Sequence, residues 1–251
     1  MAKQTGLGDN LYVAGRDLSG DTGSIGTVGG GPTTLDLTDI SQSAMDRLGG
    51  LRDGRLEFSA FFNDAAGRAH PTLSALPTTD VQVMYFRGTS LGGQAAAMVG
   101  KQVNYDPTRG SDGSLTVAVS AVSNSFGLEW GRSLTAGKRS DSSATNGTGV
   151  DFAQPLAGSS TFGLQAYLQV FSFSGTSCTV TLQESSDNGS SDSFGAVTGG
   201  AFAAASAVGA QRIATASGQT VERYLRAVTS GTFSECTFAV VVNRNDTATV
   251  F

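Results

Sequence analysis

The stretch from Leu48 to Phe62, LGGLRDGRLEFSAFF, constrains the fold more than any other part of the chain. It reads as a Gly-punctuated turn feeding an alternating strand that ends in an aromatic pair. Successive side chains on a strand point to opposite faces, so Phe58, Ala60 and Phe62 share one face and Glu57, Ser59 and Phe61 the other. Adjacent Phe61 and Phe62, and adjacent Tyr85 and Phe86 on what reads as the neighbouring strand, place apolar groups on both faces. Such faces need either a helix over the back of the sheet or a neighbouring subunit.

The same alternation recurs along the 251 residues. Strands are expected at Asn10–Ala14, Val81–Arg87, Ala95–Tyr105 and Ser114–Ser123, and then at Thr161–Phe173, Cys178–Glu184, Ala201–Ala207, Gln211–Ala216, Val221–Val228 and Thr232–Arg244. Gly counts 34, and a glycine inside a helix costs about 1 kcal/mol relative to alanine, so the Gly-rich stretch Ser19–Pro32 reads as an extended arm or loop. TTLDLTDI, residues 33–40, fits a strand or arm. Ser41 offers a cap for a short helix to Leu48, which Gly49 and Gly50 would end. A second short helix is expected at Pro71, with Leu73 and Leu76 docking on a sheet and Pro77 stopping it.

These elements predict a mainly β protein. An antiparallel β-sandwich or barrel with one or two short helices would occupy residues 1–131. A Ser/Thr/Gly-rich linker or assembly loop would follow at 132–160, and a C-terminal jelly-roll-like sandwich at 161–251. Trp130 would anchor the linker to the sheet.

Little in the sequence points to chemistry. The single histidine, His70, precedes Pro71 where a capping or surface role is commoner than catalysis, and no nucleophile-elbow or phosphate-loop spacing occurs. Glu57, Glu129 and Glu184 sit on separate strands or their ends, with no reason to converge as a glycosidase pair. The pairs Asp36/Asp39, Asp17/Asp21 and Asp187/Asp192 read as solvated turn residues rather than Ca²⁺ ligands. No enzyme, cofactor or metal is therefore expected. Cys178 and Cys236 lie on separate strands, and the spacing is compatible with reduced core thiols or with one disulfide. A net charge of −5 argues against a nucleic-acid reader, whose affinity rests on Lys and Arg. No run of about 18 apolar residues and no signal-like segment occurs, so synthesis in the cytoplasm without a membrane span is expected.

The order of Gly-rich arm, TTLDLTDI, SQSAMDRL and GLRDGRLEFSAFFND, followed by AAAMVGKQVNYD and GSLTVAVSAVSNSFGLEWG, resembles the major tail (tail tube) proteins of long-tailed bacteriophages. The resemblance covers about Leu11 to Gly131 and more loosely the whole chain, which has the look of the actinobacteriophage versions with an extra C-terminal β-domain. It implies two packed antiparallel sheets with a flanking helix, six copies closing into a ring, and rings stacking helically into a virion tail tube around genomic DNA and a tape-measure protein. Assembly needs patches that fit different patches on the next copy. Phe61, Phe62, Tyr85, Phe86, Arg52, Asp53 and Trp130 are the residues expected to make such contacts, with the 19–32 arm and the 134–155 loop ordering on assembly. A weakly acidic lumen would let DNA pass without many phosphate contacts. The C-terminal sandwich would sit outside the tube, where host glycans could be met. A head-decoration or carbohydrate-binding surface protein is the alternative.

Overall fold

The computed structural model describes residues 5–153 and 157–248. The tail of the predicted 134–155 loop and the end of the predicted C-terminal domain lie outside them. The architecture is almost wholly antiparallel β. The strands, in chain order, are β1 (Asn10–Val13), β2 (Arg16–Asp17), β3 (Thr22–Asp36), β4 (Arg47–Phe61), β5 (Val81–Phe86), β6 (Gln94–Gln102), β7 (Asp106–Arg109) and β8 (Leu115–Ser123). They continue as β9 (Glu129–Ser133), β10 (Arg139–Asp141), β11 (Val150–Asp151), β12 (Leu164–Ser185), β13 (Gly195–Ala201), β14 (Gly209–Ala214) and β15 (Tyr224–Arg244). One short helix, α1 (Ala69–Leu73), stands between β4 and β5.

Two compact units form, and they do not follow the order of the chain. One gathers the residues up to Ser19, Met84–Ala97 and the chain from Trp130 onward; the other holds Gly20–Val83 and Met98–Glu129. The predicted boundary at 131 falls beside Trp130, but the first unit also recruits two earlier segments.

In the first unit, β12 and β15 pair along nearly their whole length, from Leu164↔Arg244 to Ser185↔Tyr224. Sequence reasoning divides each of them into two strands; the structure makes each one long strand. The pairing is irregular between Val170 and Ser177, where Gly175 (φ +148°) and Gly231 (φ +118°) sit. A Cβ on Gly175 would lie 2.4 Å from Phe233 Cα, and one on Gly231 2.4 Å from Ser177 O, so only glycine fits this bend. β14 and β13 pair with the two halves of β12, and β9, β10 and β11 pair along β15. The 132–160 stretch is therefore not a linker: its described residues carry β10 and β11, which add to the sheet.

Alternate residues of these strands enter one core that includes Leu164, Leu168, Val180, Leu182, Leu225, Phe238, Val240 and Val242. Cys178 and Cys236 are buried in it as free thiols, and burial pushes both upward in pKa. Beside it, Tyr12 packs edge-on against Phe86 and Phe171 at 5.1 and 4.9 Å between ring centres.

In the second unit, β8 is central. β4 lies along one edge (Arg55↔Val122 to Phe61↔Thr116), and β6 and then β7 lie along the other. Leu56, Phe58 and Ala60 alternate inward with Val117, Val119 and Ala121. α1 buries Ala69 and Leu73 and is held by Gln102, whose amide donates to Leu73 O at 2.7 Å. The Asp21 carboxylate accepts from Asn63 Nδ2 at 2.8 Å and Ala69 N at 3.0 Å, fixing the start of β3 to the entry of the helix. Leu76, expected to dock beside Leu73, is instead exposed, with φ +42° reversing the chain before Pro77.

Candidate assembly interface

β3 and β4 form a ribbon whose two halves differ. Near its foot, Thr22↔Ala60 and Ile25↔Phe58 lie over a buried β4 face supported by β8. Further out, every residue from Gly30 to Gly49 is exposed. The predicted helix at Ser41–Leu48 does not form, and the predicted turn at Gly49–Gly50 is part of β4. The chain reverses at residues 37–46, closed by Leu37 N donating to Asp46 O at 2.9 Å, with Asp46 N donating to Thr38 Oγ1 at 2.9 Å. Asp36 and Asp39 each accept from the hydroxyl and amide two residues on, Thr38 and Ser41, and these hydrogen bonds hold both carboxyls below the usual range. Such side-chain turns offer the backbone an alternative to a helix, which accounts for the missing one.

Glycine lets the two strands approach at Gly30, and lets the chain at Leu128 approach β4 at Gly54. A Cβ on Gly30 would lie 2.2 Å from Asp53 O, and one on Gly54 2.5 Å from Leu128 N. Beyond this point Leu35 pairs with Leu48, and Leu37, Ile40, Met45 and Leu51 are exposed as well. A two-stranded ribbon without a third strand or a covering layer is marginal in water. Burying six such side chains against a partner would supply on the order of 10 kcal/mol before ordering costs. The arrangement can therefore bind a surface; it has no reactive group.

Arg52 and Asp53 are exposed on this ribbon, opposite Pro32 and Gly31. Asp53 Oδ1 accepts from Gly54 N at 2.7 Å and Ser123 Oγ at 3.1 Å. Phe61 ends the same strand and Phe62 follows it, 53% and 40% exposed. Phe62 lies against His70 at 4.6 Å, and His70 Nδ1 meets Tyr105 Oη at 2.7 Å.

Tyr85 and Phe86 are elsewhere. β5 is not a neighbour of β4, and both aromatics are inside the first unit at 7% and 1% exposure, so their adjacency reflects a strand covered on both faces by its own chain. The Tyr85 hydroxyl donates to Asp9; burial first, then that carboxylate, pushes its pKa up to about 12. Trp130 leaves β9 at 45% exposure, with Tyr85 edge-on at 6.2 Å.

Sequence reasoning missed the apolar ribbon residues themselves. Their signal was present in the alternating Leu35 and Leu37 and in Leu48 and Leu51 flanking two glycines, apolar residues in otherwise polar segments.

Among the described residues no group of His, Cys, Asp or Glu could hold a metal ion, and no helix is long and apolar enough to cross a membrane. In the Asp187–Asp192 loop, Asp187 accepts from the backbone of Ser190, Ser191 and Asp192, a self-contained turn.

No family profile matches this chain, and no curated protein matches it. Solved structures do. A chain in the virion of a native gene transfer agent particle has 14% identity and a TM-score of 0.40, covering 51% of this chain and 98% of its own. The SPP1 Dit protein, described as a hub adsorption apparatus of phages infecting Gram-positive bacteria, has 13% identity and a TM-score of 0.35 over 94% and 98%. A chain of the phage p2 baseplate has 9% identity and a TM-score of 0.33 over 95% and 99%. These three similar structures are all components of phage or gene-transfer-agent particles.

Proposed function

We propose that this chain is a structural subunit of a phage virion, and specifically a tail tube protein that closes into hexameric rings and stacks them into the conduit for genomic DNA around a tape-measure protein. Self-contact rather than catalysis is its work. The observation that carries the reading is the outer β3–β4 ribbon: twenty consecutive exposed residues, apolar at Leu35, Leu37, Ile40, Met45 and Leu48, on a frame with no core of its own. A monomer gains nothing from such an extension, whereas a copy receiving it on a complementary surface completes both. The residue order resembling major tail proteins supports the finer assignment.

Negative-stain microscopy of the purified chain tests it. Tubes or stacked rings of uniform diameter are expected. Isolated rings that never stack would point to a ring at one end of a tail, and particles that stay monomeric at every concentration would overturn self-assembly in favour of a decoration or surface-binding protein. The double variant Leu35→Asp, Leu48→Asp should remain folded and fail to assemble.

A further inference from the structure

The geometry points to a second binding site, independent of the ribbon: a groove on the first unit in which Trp130 forms an aromatic wall for a neutral oligosaccharide. Trp130 and Gln94 together line two adjoining cavities of about 400 and 420 Å³. Each lies in the range of small-ligand sites, roughly 300–1,000 Å³. The indole stands on a paired strand and against a neighbouring ring. Its strand pairs with β15 at Arg132↔Val242 and Ser133↔Val241, and Tyr85 meets the ring at an interplanar angle of 85°. A Cβ on Gly131 would lie 2.1 Å from Val242 O, so the glycine beside the indole lets β9 lie flat against its partner.

Around this wall stand planar polar groups: the exposed Gln94 amide, Asn243 and the Asp246 carboxylate. Arg244 fixes Asp246 at 3.0 Å and is itself anchored on Phe152 O at 2.8 Å and Gly158 O at 2.8 Å. A rigid aromatic face with amides and a carboxylate at its rim matches a sugar ring, which offers C–H groups on one face and paired hydroxyls at its edge.

The charges separate this ligand from a nucleotide. Arg87 lies 3.6 Å from Asp9 and Arg244 3.0 Å from Asp246, so two of the three guanidiniums face a carboxylate, while Arg132 lies over the Phe152 ring and donates to Gly92 O at 3.4 Å. Phosphate recognition relies on unmatched cations; hydroxyl recognition does not.

Trp130 is the only tryptophan in the chain, so its fluorescence reports on this groove alone. Maltotetraose, cellotetraose and chitotetraose would be titrated to about 10 mM, with dissociation constants of roughly 0.1–1 mM expected for at least one. Saturation-transfer NMR with that sugar should show loss of about tenfold or more in affinity for Trp130→Ala, a smaller loss for Gln94→Ala, and retention for Trp130→Phe, all with unchanged thermal melting. The inference is overturned if none of the three sugars changes the emission, if Trp130→Ala binds as well as the native chain, or if thymidine monophosphate binds in preference. It is equally overturned if the emission shifts only with protein concentration, which would make the groove a contact between copies.

Discussion

Two long antiparallel strand pairs in this chain meet opposite fates. β12–β15 is flanked on both edges and buries its alternating residues in the core around Leu168, Leu182, Phe238 and Val240; β3–β4 has the same local geometry but is supported only at its foot. Pairing length does not decide burial. What decides it is whether a third strand or a second layer arrives, and for the outer ribbon none does among the described residues. The leucines on the ribbon are thus the same residue type as those in the core, left exposed where the core leucines are covered.

The contrast can be broken by mutation, beginning where the effect is largest. Phe238→Ala should cost about 3–5 kcal/mol of unfolding free energy in denaturant titration, since it opens a cavity under the flanked pair. Asp21→Ala should cost about 2 kcal/mol, because it strands the amides of Asn63 and Ala69 at the ribbon's foot. Leu35→Ser with Leu48→Ser should change monomer stability by no more than about 0.5 kcal/mol while abolishing assembly seen by light scattering.

The smallest effect concerns pH. Burial, with the charges of Glu222 and Asp192, raises the Glu184 carboxyl on β12 although Glu222 N donates to it at 2.8 Å. The folded state then holds the proton more tightly than the unfolded chain, so this group's contribution is full below the unfolded value, about 4.3, and is lost as pH rises through the folded one. Glu184→Gln should flatten that part of the stability profile, as followed by thermal melting across mildly acidic pH.

Much of the fold was legible in the sequence because alternation is a local signal. Val81–Arg87, Ser114–Ser123 and the short helix at Pro71 stand close to where periodicity puts them. Three features were not legible. Gly175 and Gly231 look like strand breaks, yet they bend strands that continue. The 132–160 segment lacks period because β10 and β11 are only three and two residues long and take their order from β15. The helix cap at Ser41 was overruled by the Asp36–Thr38 and Asp39–Ser41 turns, which close a hairpin that periodicity could not foresee. Of the residues expected to make contacts between copies, Arg52, Asp53 and Phe61 lie on β4, with Phe62 just beyond its end. Tyr85 and Phe86 misled because an aromatic pair signals two covered faces without saying which molecule covers them.

The outer edge of β3 carries a further consequence. Its register against β4 shifts three times, between Thr22 and Ser24, between Ile25 and Val28, and between Pro32 and Thr34, and Pro32 has no amide hydrogen to offer. An open strand of this length would otherwise invite any passing chain to zip on indefinitely, as in amyloid. Broken spacing and a missing donor make this edge a poor template for strand addition, which leaves side-chain fit as the means by which it could be joined.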